Sequence, residues 1–571
     1  MGQMKKYDAL QRVVGTFKAC SDVYEEHRDI TRISYDMTRA KTQWSPNLKS
    51  ELEAKRVPVL AINTLGADLR ALLGLLSQYA SSIKVEGRDK TKDQIKAQVI
   101  NTLLYTILSN SNFDDENVLE NCESLQAGFG VYEVSTKQDA DEPEEEIIVR
   151  NKPSENIMID PDARYVDQRD WRYVITWDWF TAEELIAAYD GIVTEKDFGT
   201  SWYEDIVNVI RSVISRGRAL ETTEEDWTID NKLRVVHLWE EDKTPVKMYK
   251  TMNGYVDYQP PDGTPYETVK LYRRRIKVTS VCPAISKVLQ EKVTSYKYFP
   301  FAITLPLNLN GGIIHTSSWV EEMTGLQQEK NRLRSAMADI ISKSANNNWV
   351  VPKGEDVLKD DMQNRMSQYG SVFIRETITG ALQSLTPTFP SNIQALLNQN
   401  GFDEQKIGGI TPVARGEQGG AQSGDQYDSM VAQSEAPIRH MVNQDGCGLK
   451  MLGKILIDFI RVHYDSDQAI KIIGEEDPRL TQDIVLQVML DIKQTPAVRY
   501  DLAIILSPYL DTKRMAEQVD RREIIKSVPE QLQAVLIPEY VRNTTSESKD
   551  ELAQKLEGMM GGQQEQQQPP Q

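Results

Sequence analysis

The spacing of apolar residues changes twice along this chain, and that change constrains the fold more than any other feature of the sequence. Up to about residue 130 the spacing is helical. One stripe recurs at i, i+4, i+7, i+8 and i+11: Leu65, Leu69, Leu72, Leu73 and Leu76. A second has the same character: Ile95, Val99, Leu103, Ile107 and Leu108. Such stripes predict amphipathic helices packed on a core. A third helix, 116–126, is expected to end at Gly128, because glycine is common just past helix ends.

From about 130 to 306, short β-branched and aromatic runs replace the helical spacing. They lie at 131–134, 147–149, 173–177, 233–239 and 269–278, between turn-prone stretches. Such runs predict strands. Helices are expected at 181–189 and 203–216, and the acidic piece 139–146 is expected to be a hairpin tip or loop. Strands and helices do not alternate regularly, so the pattern favours an α+β domain over a parallel βαβ sheet.

Helical spacing returns after Gly311-Gly312. A long helix is predicted over 317–343, with an apolar stripe too sparse to be buried on more than one narrow side. A strand-rich insert follows at 349–374, then a helix over 392–406, a glycine-rich run and a very long helix over 425–464. A smaller mixed region, with helices at 497–506 and 511–528, leads to a Gln-rich end expected to be disordered. The fold class is therefore α+β, predominantly α.

The overall charge limits how this chain can deal with nucleic acid. It has 66 Lys and Arg residues against 85 Asp and Glu residues, a formal net charge of −19. Proteins that hold DNA tightly present a basic face that releases counterions. A protein this acidic either has no role with DNA or handles DNA without gripping it.

Several other features of the sequence argue against particular classes of protein. No apolar run of membrane-spanning length occurs, and the polar N-terminus predicts no export signal. The four widely spaced cysteines are expected to be reduced thiols. No P-loop, dinucleotide fingerprint or paired-histidine motif is present. The sequence therefore predicts no cofactor, no metal and no enzymatic activity.

An aspartate-rich stretch is the strongest metal-like cluster. It contains Asp160, Asp162, Asp167 and Asp170, but lacks the glycine at the sixth position of a calcium loop. The favoured interpretation is a polar turn whose carboxylates accept bonds from backbone amides. The alternative is a metal-dependent nuclease that uses Asp160 and Asp162 with the acidic Glu241-Asp242-Lys243 motif.

The order of these parts, with several short stretches, resembles the portal proteins of tailed bacteriophages, also called head-to-tail connectors. The similarity covers about residues 50–510 and is greatest to the podovirus-type portals. The stretches that carry it are 56–63, Glu155 to Asp162, Tyr298-Phe-Pro300, Leu326 to Ser335, Ile410-Thr411 with Gly416, and Gln422-Ser-Gly424.

The resemblance implies a ring of twelve subunits at one capsid vertex of the virion, assembled in the host cytoplasm. Its channel would pass double-stranded DNA during packaging and ejection, and no membrane is involved. Implied partners are the terminase large subunit, the major capsid and scaffolding proteins, and a head–tail adaptor. The implied regions are the wing (1–314 and 425–510), two stem helices (315–345 and 391–407), the clip (346–390), a tunnel loop (408–424), a crown (511–560) and a disordered tail (561–571).

In a rotationally symmetric ring, each channel-facing side chain becomes a circle of identical groups. Lys330, Arg334 and Lys343 on the first stem helix are therefore candidates for weak, sequence-independent contact with phosphates. In the glycine-rich run, Arg415 is the candidate cation, and Gln418 and Gln422 are candidates for a compliant constriction. Besides the nuclease, a different virion assembly protein, such as an adaptor or an internal protein, stays open as an alternative.

Overall fold

The structure is a computed structural model. It describes residues 2–55, 57–78, 81–85, 92–138, 144–198, 227–229, 232–251, 254–256, 267–308, 311–345, 348–350, 383–385, 392–411, 436–476, 482–494 and 505–506. These residues fall into two compact units. The larger unit comprises 1–75 and 83–504, and the smaller comprises 76–82 and 505–571.

Eleven α-helices lie in the described ranges. They are α1 (Gly2–Met37), α2 (Pro46–Ala54), α3 (Thr64–Gln78), α4 (Lys92–Asn110), α5 (Phe113–Ala127), α6 (Ala182–Ala188), α7 (Trp319–Ala345), α8 (Asn392–Gly408), α9 (Ala436–His463), α10 (Ser466–Glu476) and α11 (Gln482–Gln494). Gly128 caps α5 with φ of +91°, a conformation that glycine adopts without strain.

Fourteen strands accompany them in the same ranges. They are β1 (Ser81–Ser82), β2 (Gly130–Lys137), β3 (Glu146–Asn151), β4 (Ile157–Ile159), β5 (Tyr173–Thr181), β6 (Thr228–Ile229), β7 (Lys232–Thr251), β8 (Gly254–Val256), β9 (Glu267–Cys282), β10 (Lys287–Val293), β11 (Phe301–Thr304), β12 (Asn348–Val350), β13 (Gln383–Leu385) and β14 (Ile505–Leu506).

Two antiparallel sheets organise the larger unit. The main sheet has the order β10-β9-β7-β5-β4, with β6 and β8 also paired to β7. The second sheet has the order β11-β2-β3, and its β2–β3 hairpin brings Lys137 opposite Glu146. The acidic segment 139–146, predicted as a hairpin tip or loop, lies between these two strands in the sequence and includes the first residue of β3, and its residues 139–143 lie outside the described ranges. A separate short pair, β12 with β13, joins the two ends of the segment between α7 and α8.

The hydrophobic core of the larger unit has two main parts. In one, α4, α9, α10 and α11 pack on β2 and β3. In the other, α1 packs on β4, β5, β7 and β9, and Trp171 and Phe299 are fully buried there. The long helix α9 also lies directly against β11, where the backbone of Gly448 approaches Ile303. The smaller unit contains the antiparallel pair β1–β14.

Most of the predicted elements in the described ranges are confirmed, with small shifts at their ends. The predicted helix over 317–343 is α7, that over 392–406 is α8, and the described part of the very long helix is α9. The residues of the two apolar stripes were predicted to pack on the core. Ile95 of α4 does not, since it is 42% exposed. The expected helix at 203–216, the strand at 372–374, the helix at 511–528 and the Gln-rich tail lie outside the described residues.

One prediction for the C-terminal part needs correction. The described part of the mixed region predicted after 465 contains the helices α10 and α11 and the short strand β14. The helix predicted over 497–506 is wrong at its end, because Ile505 and Leu506 form β14 and pair with Ser82 and Ser81. Backbone pairing with a segment far away in the sequence overrides the local helical preference there.

All four cysteines carry free thiols. None of the described helices is long and apolar enough to cross a membrane.

Candidate functional site

The long helix α7 is the centre of the candidate site, since it contacts three other parts of the subunit. Towards α8 it presents Trp319, whose Nε1 donates to the Gly408 carbonyl at 3.0 Å. Asn400 of α8 donates to the Leu326 carbonyl at 3.2 Å. These two bonds join α7 and α8 at separate points along their length. Near the start of α7, Ser318 Oγ also lies 3.5 Å from Ser34 Oγ of α1.

Lys330 lies within this pair. Its Nζ forms an ion pair with Glu404 of α8 and donates to Thr64 Oγ1 at 3.0 Å. The side chains of Lys330 and Glu404 are only 12% and 9% exposed. The geometry therefore favours a role for Lys330 in holding α7, α8 and the start of α3 together, rather than in contact with DNA.

A polar ladder on another side of α7 holds the extended chain before α3. Its members are Gln327, Asn331 and Ser335, spaced four residues apart. Gln327 Nε2 donates to the Ile62 carbonyl at 2.7 Å, and Asn331 Oδ1 accepts from the Ile62 amide at 3.0 Å. Ser335 Oγ accepts from the Leu60 amide at 3.0 Å. Gln43 closes the network by accepting from Asn331 at 2.7 Å. These bonds satisfy backbone groups that have no partner in a sheet or helix.

The remaining candidates differ in what the structure describes of them. Arg334 is exposed on α7, as is its neighbour Arg332. Lys343 belongs to the last turn of α7, but its side chain lies outside the described residues. Arg415, Gln418 and Gln422 lie outside them as well, as does the rest of the glycine-rich run from 412 onward.

The partners of α7 were not apparent from the sequence. Neither Glu404 nor the ladder residues stood out as functional candidates, although Gln327, Asn331 and Ser335 belong to the stretch that carries the resemblance. The i, i+4, i+8 spacing of three polar residues on a helix was the available signal for the ladder. Nothing in the sequence near Glu404 indicates its distant partner.

The aspartate-rich stretch forms a capped polar turn, as predicted. Asp160 is fully buried and receives Arg172 Nε at 2.6 Å and Nη2 at 2.7 Å, together with the Asp162 amide at 3.2 Å. Arg172 also pairs with Asp162. Asp170 accepts from the Arg164 amide at 2.8 Å.

The acids of the nuclease alternative are thus paired with arginines. Glu241 Oε1 lies 3.1 Å from Arg274 Nε, in addition to the Arg172 pairs with Asp160 and Asp162. Within the described ranges, no group of three or more His, Cys, Asp or Glu residues has a metal-binding arrangement. This geometry gives no support to the nuclease interpretation.

The described chain has two long helices on either side of a small strand pair, after an α+β region and before a very long helix, which is the element order expected of a phage portal protein. The family model described as "Phage P22-like portal protein" matches residues 14–571. The chain therefore belongs to the P22-like portal protein family. No curated protein matches the chain.

Proposed function

We propose that twelve copies of this subunit close into a ring at one vertex of the capsid. Duplex DNA enters the head through the central channel during packaging and leaves through it at ejection. The ring docks the terminase large subunit and later the head–tail adaptor, and it joins the major capsid and scaffolding proteins during assembly. Membership of the P22-like portal family supports this proposal, since proteins of that family are structural.

The observation that carries the proposal is the attachment of α7 to the rest of the subunit. The Lys330–Glu404 pair, the polar ladder and the Trp319 bond hold the helix at three places, while Arg332 and Arg334 stay exposed. A helix that lines a channel needs this combination, because it must stay in position against passing DNA and still present a solvated face.

The regions follow from the same proposal. Residues 1–314 and 425–510 form the wing, 315–345 and 391–407 the stem helices, and 346–390 the clip. The run 408–424 forms the tunnel loop, 511–560 the crown and 561–571 the tail. The second stem segment corresponds to α8, which ends at Gly408 and therefore includes the first residue of the loop.

Contact with DNA is weak and independent of sequence in this proposal. Arg334, Lys343 and Arg415 touch phosphates transiently, and Gln418 and Gln422 lie in the compliant loop. Lys330 is assigned instead to the α7–α8 ion pair. A net charge of −19 per subunit opposes the counterion-release affinity that would stall sliding.

Electron microscopy of the purified protein tests the ring. Images should show particles with a central hole and twelve-fold rotational symmetry. A chain that stays monomeric at high concentration in every assembly condition contradicts the proposal.

Phage variants test the channel contacts. Arg334→Ala and Arg415→Ala should reduce the DNA retained in filled heads, because each removes one phosphate contact per subunit. Arg150→Ala is the matched control, since Arg150 is an exposed arginine of β3 outside the proposed channel. Equal retention in all three variants and the wild type would overturn the assignment of these arginines.

A further inference from the structure

The two longest strands of the main sheet continue beyond it as a separate ribbon. β7 pairs with β5 only through Glu240, and β9 pairs with β10 only from Lys277 onward. Beyond those points, 242–251 and 267–275 pair with each other, and β8 adds a short third strand at one end. At about 3.3 Å per residue, this β7–β9 ribbon extends roughly 30 Å.

The two faces of the ribbon carry different charge patterns. On one face, directly opposed residues have opposite charges: Asp242 faces Arg275, and Lys250 faces Glu267. On the other face, Lys247 lies directly opposite Lys270. Like charges in opposed positions of a sheet repel each other. Within the ribbon, only the second face therefore places like charges opposite each other.

The basic face continues on both sides of this lysine pair. Lys243 lies four residues before Lys247 on the same face, and Tyr272, which is 73% exposed, lies two residues after Lys270. Both lysines of the pair are exposed, and neither forms an ion pair with another described residue.

One acidic residue, Glu241, lies on the same face and is already engaged. Glu241, at the base of the ribbon, lies 3.1 Å from Arg274 and 3.4 Å from Lys243. Arg274 also donates to the Gln168 carbonyl at 3.0 Å, which ties it to the body of the subunit. Glu241 is thus shared between two cations, and no other described acid pairs with the two lysines.

We propose that the basic face of the β7–β9 ribbon binds the phosphate backbone of duplex DNA at a site outside the channel. Phosphates supply counterions to the opposed lysines, which have none among the described residues, and an exposed tyrosine hydroxyl donates to phosphate oxygens. The major groove of B-DNA also has the width to admit a two-stranded ribbon. Contacts of this kind carry no sequence preference. The site goes beyond the channel function and does not require the ring.

A covalently closed circle of duplex DNA distinguishes this site from the channel, since a circle cannot thread through a closed ring. We suggest a labelled circle of roughly 350 base pairs, about twice the persistence length of duplex DNA. Its binding to the full-length protein is measured by anisotropy over a series of KCl concentrations. The wild type should bind the circle, with an affinity that falls steeply as salt rises.

The double variant Lys247→Ala with Lys270→Ala should bind the circle at least about tenfold more weakly. The slope of log affinity against log salt concentration should become shallower by roughly 1.8, because each lost phosphate contact contributes about 0.9. Lys250→Ala is the matched control, because Lys250 lies on the other face of the same strand, opposite Glu267. Equal melting temperatures show that the variants are folded.

Two results would overturn the proposal. The first is a double variant that binds the circle with the same affinity and the same salt dependence as the wild type. The other is equally tight binding of polyglutamate, which would assign the face to an acidic protein. Because the double variant changes only the ribbon, either result leaves the channel function untouched. The comparison with the wild type stays valid whether or not rings form.

Discussion

Charged residues buried between helices determine much of how this subunit responds to substitution. Lys330 and Glu404 are the clearest case, because each has lost most of its contact with water and is stabilised by the other. Removing one partner of such a pair leaves an uncompensated buried charge, which costs far more than the pair itself contributes.

We therefore expect Lys330→Met to lower the free energy of unfolding by about 3–5 kcal/mol. The double variant Lys330→Met with Glu404→Leu should recover most of that loss, since it leaves no charge behind. Arg332→Met, at an exposed position of the same helix, is the control and should change stability by less than about 0.5 kcal/mol. Urea unfolding measures all three, and a fully stable Lys330→Met protein would contradict the ion-pair assignment.

Two carboxyl groups share the interior between α5 and α9. Glu120 is fully buried and accepts a hydrogen bond from Thr304, while its Oε2 has no hydrogen-bond partner among the described residues. Asp445 is partly buried, and its shielded Oδ1 has no partner in the described ranges either. Burial, with the nearby Asp445, raises the pKa of Glu120 well above its ordinary value. Burial raises the pKa of Asp445 to about 7.

These shifts predict that the subunit loses stability as pH rises. Because the folded-state pKa of Asp445 is raised, its contribution is fully present below the ordinary value of 3.8 and is lost as pH rises to about 7. Each pH unit in this window costs up to about 1.4 kcal/mol. Asp445→Asn removes the titrating group, so the free energy of unfolding should vary less between pH 4 and 7.

Asp467→Asn, an exposed position at the start of α10, is the control for this profile and should keep the wild-type slope. Denaturant unfolding at several pH values measures both variants. An unchanged slope in Asp445→Asn would show that the folded protein does not hold the proton there.

Among the elements, α9 depends on a close approach that only glycine permits. A Cβ atom at Gly448 would lie 2.5 Å from the Ile303 carbonyl oxygen of β11 and 2.5 Å from Thr304 Cγ2. The helix packs on the strand at this distance because Gly448 has no side chain. A methyl group must push α9 away from the sheet or distort β11.

Gly448→Ala should therefore destabilise the protein by about 1–3 kcal/mol, the usual cost of overpacking. Gly474→Ala is the matched control, since Gly474 also lies in a helix but a Cβ atom there would have no neighbour within 4 Å. That variant should be neutral or more stable by up to about 1 kcal/mol. Thermal melting separates the two, and equal effects of both substitutions would rule out the close approach as the cause.

For the whole molecule, the proposed channel function makes the negative charge the factor that sets how loosely DNA is held. In the proposed ring, one substitution is repeated in every subunit, so Glu329→Lys at an exposed position of α7 changes the net charge of twelve subunits by about +24. We expect tighter and more salt-dependent binding of linear duplex DNA, with slower ejection. Glu183→Lys, an exposed position of α6, is the control. No difference between the two variants would indicate that α7 does not face DNA.

Local patterns predicted the elements well but not their partners. The apolar stripes at 65–76 and 95–108 and the β-branched runs at 131–134 and 173–177 lie in the helices and strands expected of them. The order of those elements was also sufficient for the resemblance to portal proteins that the family match bears out. Each of these features depends on residues that are close together in the sequence, so the periodicity of apolar residues is enough to predict it.

The sequence by itself determined the element order, the acidic charge and the family. The tertiary structure decided that Lys330 pairs with Glu404, 74 residues away, and that Lys247 faces Lys270 across the ribbon. It also made Ile505 and Leu506 a strand instead of the end of a helix. Such pairings depend on which distant segments the packed core brings together, and on a strand register that local spacing does not encode.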